Sequence, residues 1–246
     1  MGLALEYYLG QVEIEAARLA EVARLGGAAA VPSCPGWTVE TVVRHVAQVY
    51  LHKVEILRRG ELPDPWPPAE LEARDAAELY AEAVTAIVEA LTAAGPDRPV
   101  WTFSPADRTS GFWFRRMAME TVVHRVDAEL AHDVLTPLDT ELALDGIDEL
   151  LYPNLAGPWW EEGDTGYPVD ATVRITAGGR WWTVRLDATS VAVGQGAEGD
   201  AAAEVFGEPS AVYLWLWGRL GDDAVQFAGD AEVLRGFRGR LAESTQ

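Results

Sequence analysis

The stretch Trp113–His132, WFRRMAMETVVHRVDAELAH, decides how the rest of the chain is read. It contains neither Pro nor Gly, is rich in helix formers, and lies between SPADRTSG (104–111) and HDVLTPLD (132–139), so it reads as a helix. On a helix, Glu120 and His124 stand four residues apart and project from one face, one turn from each other. Asp127 continues that face, and Arg116 lies one turn before Glu120. Phe114, Met117, Ala118, Val122, Val126 and Leu130 form an opposite face suited to burial. A carboxylate and an imidazole at this spacing can grip one divalent metal from two points of a rigid element. They can equally form a solvated polar stripe. A third ligand elsewhere separates the two readings.

Upstream, residues 3–25 repeat Leu5, Tyr8, Leu9, Val12, Ala16, Leu19 and Val22 at helical spacing. Gly26, Pro32, Pro35 and Gly36 break that pattern. Thr38 then reads as the N-cap of a second helix, with Glu40 in its first turn and Gly60 just past its end. Val39, Val42, Val46, Val49 and Ile56 make its apolar face, while His45 and His52, seven residues apart, share another. A Pro-rich connection, LPDPWPPAE (62–70), precedes a third helix from about Asp75 to Ala93, which ends at the breakers from Gly95 to Pro99. Residues 100–112 read as an irregular loop carrying Trp101, Phe103 and Phe112. Four long helices with one cross-connection make an antiparallel bundle, and bundles build metal sites from facing helices. His45, beside Val42, Val46 and Val49, reads either as a hydrogen-bonded core or surface residue or as a third ligand from a facing helix, which would complete a set of two imidazoles and one carboxylate that leaves metal positions open.

Composition changes after Thr136. A short helix within residues 141–157 leads to a Pro- and Gly-rich linker, and residues 170–195 show period-2 alternation interrupted by Gly178-Gly179, a hairpin signal. A further strand, a helix begun at Pro209 and a closing helix follow. The expected fold class is α+β: a four-helix domain over 1–136, a connecting helix and linker over 137–168, and a small α+β domain over 169–246. The expected pocket lies between the two domains, shaped by the aromatic loops 101–112 and 157–167.

The chain has 246 residues, 49% of them hydrophobic, with ten Trp, which is ample for packed cores. Its formal net charge of −20 repels phosphate backbones and anionic lipid, arguing against nucleic acid or a membrane as partner. Cys34 is the sole cysteine, which excludes an internal disulfide and a CxxC zinc site. The N-terminus lacks a basic region and a long apolar run and carries Glu6, Glu13 and Glu15, unlike a signal peptide. A cytoplasmic protein, monomeric or a small homo-oligomer, is expected.

The segments SCPGWTVETVVRHVAQV (33–49) and METVVHRVDAELA (119–131), in that order and separation, resemble the mycothiol-dependent maleylpyruvate isomerase family, as does SAVYLWLWGRL (210–220). The resemblance covers nearly the whole chain. It implies a DinB-like metal-binding bundle followed by a small domain similar to sterol carrier protein folds. It also implies that His45, Glu120 and His124 bind a divalent metal, usually zinc, with mycothiol as thiol cofactor or co-substrate. A bound cation lowers a thiol's pKa and delivers thiolate at neutral pH. That thiolate can isomerise a small unsaturated substrate or be transferred to an electrophile.

Two further residues are candidates for the chemistry. Asp127 can hold a ligand imidazole or orient substrate, or form an intrahelical pair with Arg116 or Arg125. Arg219 can fork a substrate carboxylate, or be an exposed helix-end arginine. His52 reads as pocket lining or surface, Trp37 as a lock on its loop, and Cys34 as structural. The competing functions are a thiol-independent metalloenzyme on the same triad and a non-catalytic small-molecule binder. The triad does not separate the first of these from the thiol-dependent reading.

Overall fold

The computed structural model describes residues 2–158, 160, 165–196 and 199–245. The chain divides into two compact units, Met1–Thr136 and Pro137–Gln246. In the first, the long helices are α1 (Leu5–Ala23), α2 (Val39–Arg59), α4 (Ala76–Ala94) and α5 (Ser110–Leu130), and α3 (Ala69–Glu72) is a single turn within the Pro-rich connection. Thr38 caps α2 as expected: its hydroxyl accepts from Thr41 N, while Thr41 Oγ1 accepts from Thr38 N in return. Gly60 closes the helix.

The cross-connection doubles back along α2. Arg44, near the start of α2, donates to the carbonyls of Leu71, Glu72 and Arg74, and the Gly60 carbonyl at its end accepts from Trp101 N beyond α4. Helices α2 and α4 therefore run side by side in the same direction. Helices α1 and α5 likewise run together, with Glu15 meeting Arg125 and Gly26 close to His132. The two pairs are antiparallel to one another, so His45 of α2 comes opposite Glu120 and His124 of α5.

The sequence pattern suggests a one-faced α5, but the structure buries it on every side. Ser110, Phe112–Phe114 and Arg116 through Glu129 are all buried, including Arg116, Glu120, Thr121, His124, Arg125, Asp127 and Glu129. The solvated-stripe reading fails for that reason: each of these polar groups has left water and needs a partner. Arg125, fully buried, donates from Nε to Glu15 Oε2 at 2.7 Å and from Nη1 to Glu129 Oε2 at 2.5 Å and to the Thr136 carbonyl at 3.0 Å. Glu129 in turn accepts from Thr136 N and Oγ1. This cluster ties α1, α5 and the end of the unit together.

The second unit carries a five-stranded sheet in the order β3-β2-β1-β4-β5, from β1 (Ala171–Ala177), β2 (Arg180–Leu186), β3 (Val191–Gln195), β4 (Ala203–Gly207) and β5 (Gln226–Gly229). Only β1 and β4 pair in parallel. The hairpin turns at Gly178-Gly179, where φ of 54° and 77° match a type I′ turn. Alternation puts Val173, Ile175, Trp182, Val184 and Leu186 into the core, with Ile175 opposite Trp182. Helix α6 (Thr140–Glu149), extended by a π-helical Leu150–Leu155, packs on α7 (Pro209–Leu216), and α8 (Ala231–Thr245) follows β5. Residues 140–155, expected as part of a connection, thus pack within this unit. Gly146 allows the approach of α6 to α7, since a Cβ there would meet the Tyr213 ring at 2.5 Å. Of the aromatic linker 157–167, Trp159 and residues 161–164 lie outside the described residues.

Arg125→Ala leaves Glu129 buried without its cation and Glu15 with only Arg18, at 2.8 Å, and is expected to lower stability by about 3–5 kcal/mol. Urea denaturation followed by circular dichroism measures this, and an unchanged midpoint would show that the cluster does not hold α1 to α5.

Candidate metal centre

The loop between α1 and α2 folds back tightly. Val31 N donates to the Trp37 carbonyl at 3.0 Å, Trp37 N to the Cys34 carbonyl at 2.9 Å, and Val39 N to the Ala29 carbonyl at 3.0 Å. This presents Ser33, Cys34 and Trp37 to the polar side chains of α5. Helix α2 contributes His45 from the adjacent turn.

Ligand atoms of His45, Glu120 and His124 lie within 4.8 Å of one another. Glu120 Oε1 is 3.4 Å from His45 Nε2 and 3.2 Å from His124 Nε2. The other carboxylate oxygen, Oε2, is held by the Arg116 guanidinium. Asp127, with no exposed surface, meets His124 Nδ1 at 2.9 Å through Oδ2. It also accepts from Ser33 Oγ at 2.5 Å and Cys34 Sγ at 3.7 Å. Trp37 lies 5.0 Å from the His45 ring and stacks on His124 at 6.3 Å and 17°. The His45 side chain is 35% exposed against 12% for Glu120 and 10% for His124, so the cluster opens on the His45 side.

These contacts set the charges. Burial works against the Glu120 carboxylate, but Arg116, His124 and the His45 hydrogen bond outweigh it and hold the group well below the usual carboxylate range. Burial also opposes a charged His124. The Glu120 charge and the Asp127 hydrogen bond prevail, and its pKa rises to about 9. Two imidazole nitrogens and a carboxylate oxygen converging on one point fit a divalent cation. Asp127 accepting from Nδ1 directs the His124 Nε2 lone pair toward that point.

His45, Glu120, His124 and Asp127 are therefore brought together. Arg116 pairs with Glu120, and Arg125 with Glu15 and Glu129. Arg219 is in the second unit, where its Nη1 donates to the Trp217 carbonyl at 2.7 Å and its guanidinium lies 5.8 Å from the Trp217 ring. His52 stacks on Trp66 at 5.0 Å. Trp37 locks its loop by packing on the two site imidazoles themselves. Sequence reasoning missed the Arg116–Glu120 pair, although its i, i+4 spacing was legible. It also missed Ser33, which no local pattern connects to a residue 94 positions away.

Residues 11–129 match the family model described as the mycothiol maleylpyruvate isomerase N-terminal domain. The matched segment lies wholly within the helical first unit. The match contains all three residues of the triad and Asp127. Over the whole chain, the fold is similar to the crystal structure of the mycothiol-dependent maleylpyruvate isomerase, with a TM-score of 0.64 at 15% identity, covering 93% of this chain and 95% of that one. A histidine-to-alanine mutant of that isomerase matches equally, with the same score, identity and coverage. The likeness establishes the α+β fold, a helical N-terminal unit followed by a small mixed-sheet unit. No curated protein sequence matches this chain. Among the described residues, no helix is long and apolar enough to cross a membrane.

The folded pKa of His124, about 9, stands above its ordinary value of 6.5. In metal-free protein its charge therefore stabilises the fold fully below pH 6.5, and that contribution is lost as pH rises through 9. Thermal midpoints of metal-free protein are expected to fall across this window, and His124→Gln to flatten the dependence. Parallel curves for the two proteins would contradict the assignment.

Proposed function

We propose that this chain is a metal-dependent enzyme that uses mycothiol to isomerise a small unsaturated substrate or to transfer the thiol to a small electrophile. One observation carries the proposal. Within a mycothiol maleylpyruvate isomerase N-terminal domain, His45, Glu120 and His124 converge on a single point that is open on one side. The fold shared with an enzyme named mycothiol-dependent maleylpyruvate isomerase supports it.

A divalent cation, zinc on the character of the donors, would supply the positive charge that lowers a thiol's pKa and makes thiolate available at neutral pH. The chain's own residues prepare the place. Asp127 keeps a proton on His124 Nδ1, so that Nε2 is the ligand atom. Arg116 occupies Glu120 Oε2 and turns Oε1 toward the imidazoles. Trp37 covers the two rings, and the exposed edge of His45 marks the side of entry. Addition of thiolate to one carbon of an activated double bond leaves a single bond that can rotate. Elimination of the thiolate then restores the double bond in the other geometry. Where the adduct is stable, the same addition is S-transfer. Arg219 is assigned to the substrate carboxylate on the fork geometry of its guanidinium. The reaction is placed in the cytoplasm, where a low-molecular-weight thiol stays reduced, in a monomer or small homo-oligomer with neither nucleic acid nor membrane as partner.

Purified protein is expected to carry close to one metal per chain, lost in His124→Ala, and to bind mycothiol calorimetrically only when metal is present. Metal without thiol binding would favour a thiol-independent metalloenzyme on the same triad. No uptake of added zinc would overturn both enzymatic readings and leave a small-molecule binder.

Asp127→Asn keeps the shape but weakens the hold on His124. Loss of such a partner typically costs 10–100-fold in metal affinity or activity, and competition with a chelating dye reads the affinity. Wild-type affinity in the variant would remove Asp127 from the site.

A further inference from the structure

Helix α2 faces the bundle with an apolar stripe of Val39, Val42, Val46, Tyr50 and Leu57, each almost fully buried. Lys53 interrupts it. The repeat that places Val46 and Tyr50 inward places position 53 inward too, and Lys53 is half-buried there. Its ammonium lies 4.8 Å from the centre of the Trp113 ring on α5. Trp113 is itself packed by Trp101, Phe103 and Phe112 at 5.0–6.2 Å. Among the described residues no carboxylate comes within ion-pair range of Lys53. Its close polar neighbour is His52 Nδ1 at 2.8 Å. His52 is depressed to about 4, by burial and then by Lys53, so at neutral pH the imidazole accepts and the charge resides on the lysine.

A half-buried ammonium against aromatic walls, with no carboxylate in ion-pair range among the described residues, sits where Leu or Met would continue the apolar stripe without the cost of partial desolvation. Burial lowers the lysine to about 8, with the Glu120 charge opposing and the Arg116 charge adding to the effect. Both charges belong to the triad's surroundings, so Lys53 lies along the same α2–α5 seam as the candidate metal centre. Eight residues separate it from His45, roughly 12 Å of axial rise, less whatever the long side chain recovers by leaning back. Only where the lysine side chain covers about half of that rise does an acid several bonds long reach its ammonium with the reacting carbon at the triad. Arg116 cannot play this part as directly, because Glu120 already engages it.

We propose that Lys53 is a specificity-determining residue that anchors a carboxylate of the substrate at the aromatic end of the α2–α5 seam, selecting a small unsaturated dicarboxylic acid over its mono-acid counterpart. The assignment rests on the function proposed above, and its test is separable from that of the metal.

Two probes isolate the second carboxylate: trans,trans-muconate, a six-carbon diene with two carboxylates, and sorbate, the same diene with a methyl group in place of one of them. Calorimetric titration of wild-type protein, with and without zinc, is expected to show muconate binding at least ten-fold tighter than sorbate. Lys53→Met and Lys53→Gln should abolish that preference, and Lys53→Arg should retain most of it, with zinc content unchanged in all three. Lys53→Met should melt no lower than wild type, since a thioether suits the apolar stripe. A purely structural lysine would show the opposite pattern, lower stability with the preference intact. An undiminished preference in the Met and Gln variants would overturn the assignment, as would no preference in the wild type. Zinc binding without a Lys53-dependent preference leaves the metal centre standing and removes the anchor. A Lys53-dependent preference in a protein that takes up no zinc does the reverse.

Discussion

Burial of α5 on all sides is the constraint from which the first unit follows. A helix with one wet face can leave its charges to solvent, where a pair contributes about 0–1 kcal/mol. Helix α5 has no such face, and Arg116, Glu120, Thr121, His124, Arg125, Asp127 and Glu129 are all buried. Each unpaired charge there would cost several kcal/mol. The neighbouring elements therefore have to deliver partners: Glu15 from α1, Tyr50 and His45 from α2, Ser33 and Cys34 from the loop between them.

The partners sort into two clusters of different character. Around Arg125 the cluster is dry: Arg125, Glu15 and Glu129 are 0–2% exposed, Arg18 reaches Glu15 from the surface, and Thr136 donates both its N–H and its hydroxyl to Glu129. It holds helices together and offers nothing to a ligand. Around Glu120 the cluster is open, with one oxygen committed to Arg116, the other shared between two imidazoles, and His45 a third exposed. Raised His124 and lowered Glu120 pKa values express one fact, an ionic cluster concentrated where a cation would be bound.

The second unit is stabilised on different terms. Its hairpin, alternating strands and buried Trp182, whose indole N–H donates to Asp148 at 2.6 Å, form a core within Pro137–Gln246. Similarity to the crystal structure of an isomerase, at 15% identity, covers 93% of this chain and so reaches both units. Fold is more tolerant of substitution than chemistry is.

The α+β class, the capped second helix, the Gly178-Gly179 hairpin and the pairing of Glu120 with His124 were legible in the sequence, because periodicity, caps and turns act over a few residues. His45 could be joined to that pair only through a bundle argument and a family resemblance. Which residues satisfy Asp127, why Arg116 faces Glu120 rather than solvent, and why Lys53 occupies an apolar stripe were decided by tertiary structure. Local spacing shows which groups share a helix face. Whether that face is wet or dry depends on elements up to a hundred residues away, and dryness turns a polar stripe into a set of obligatory pairs.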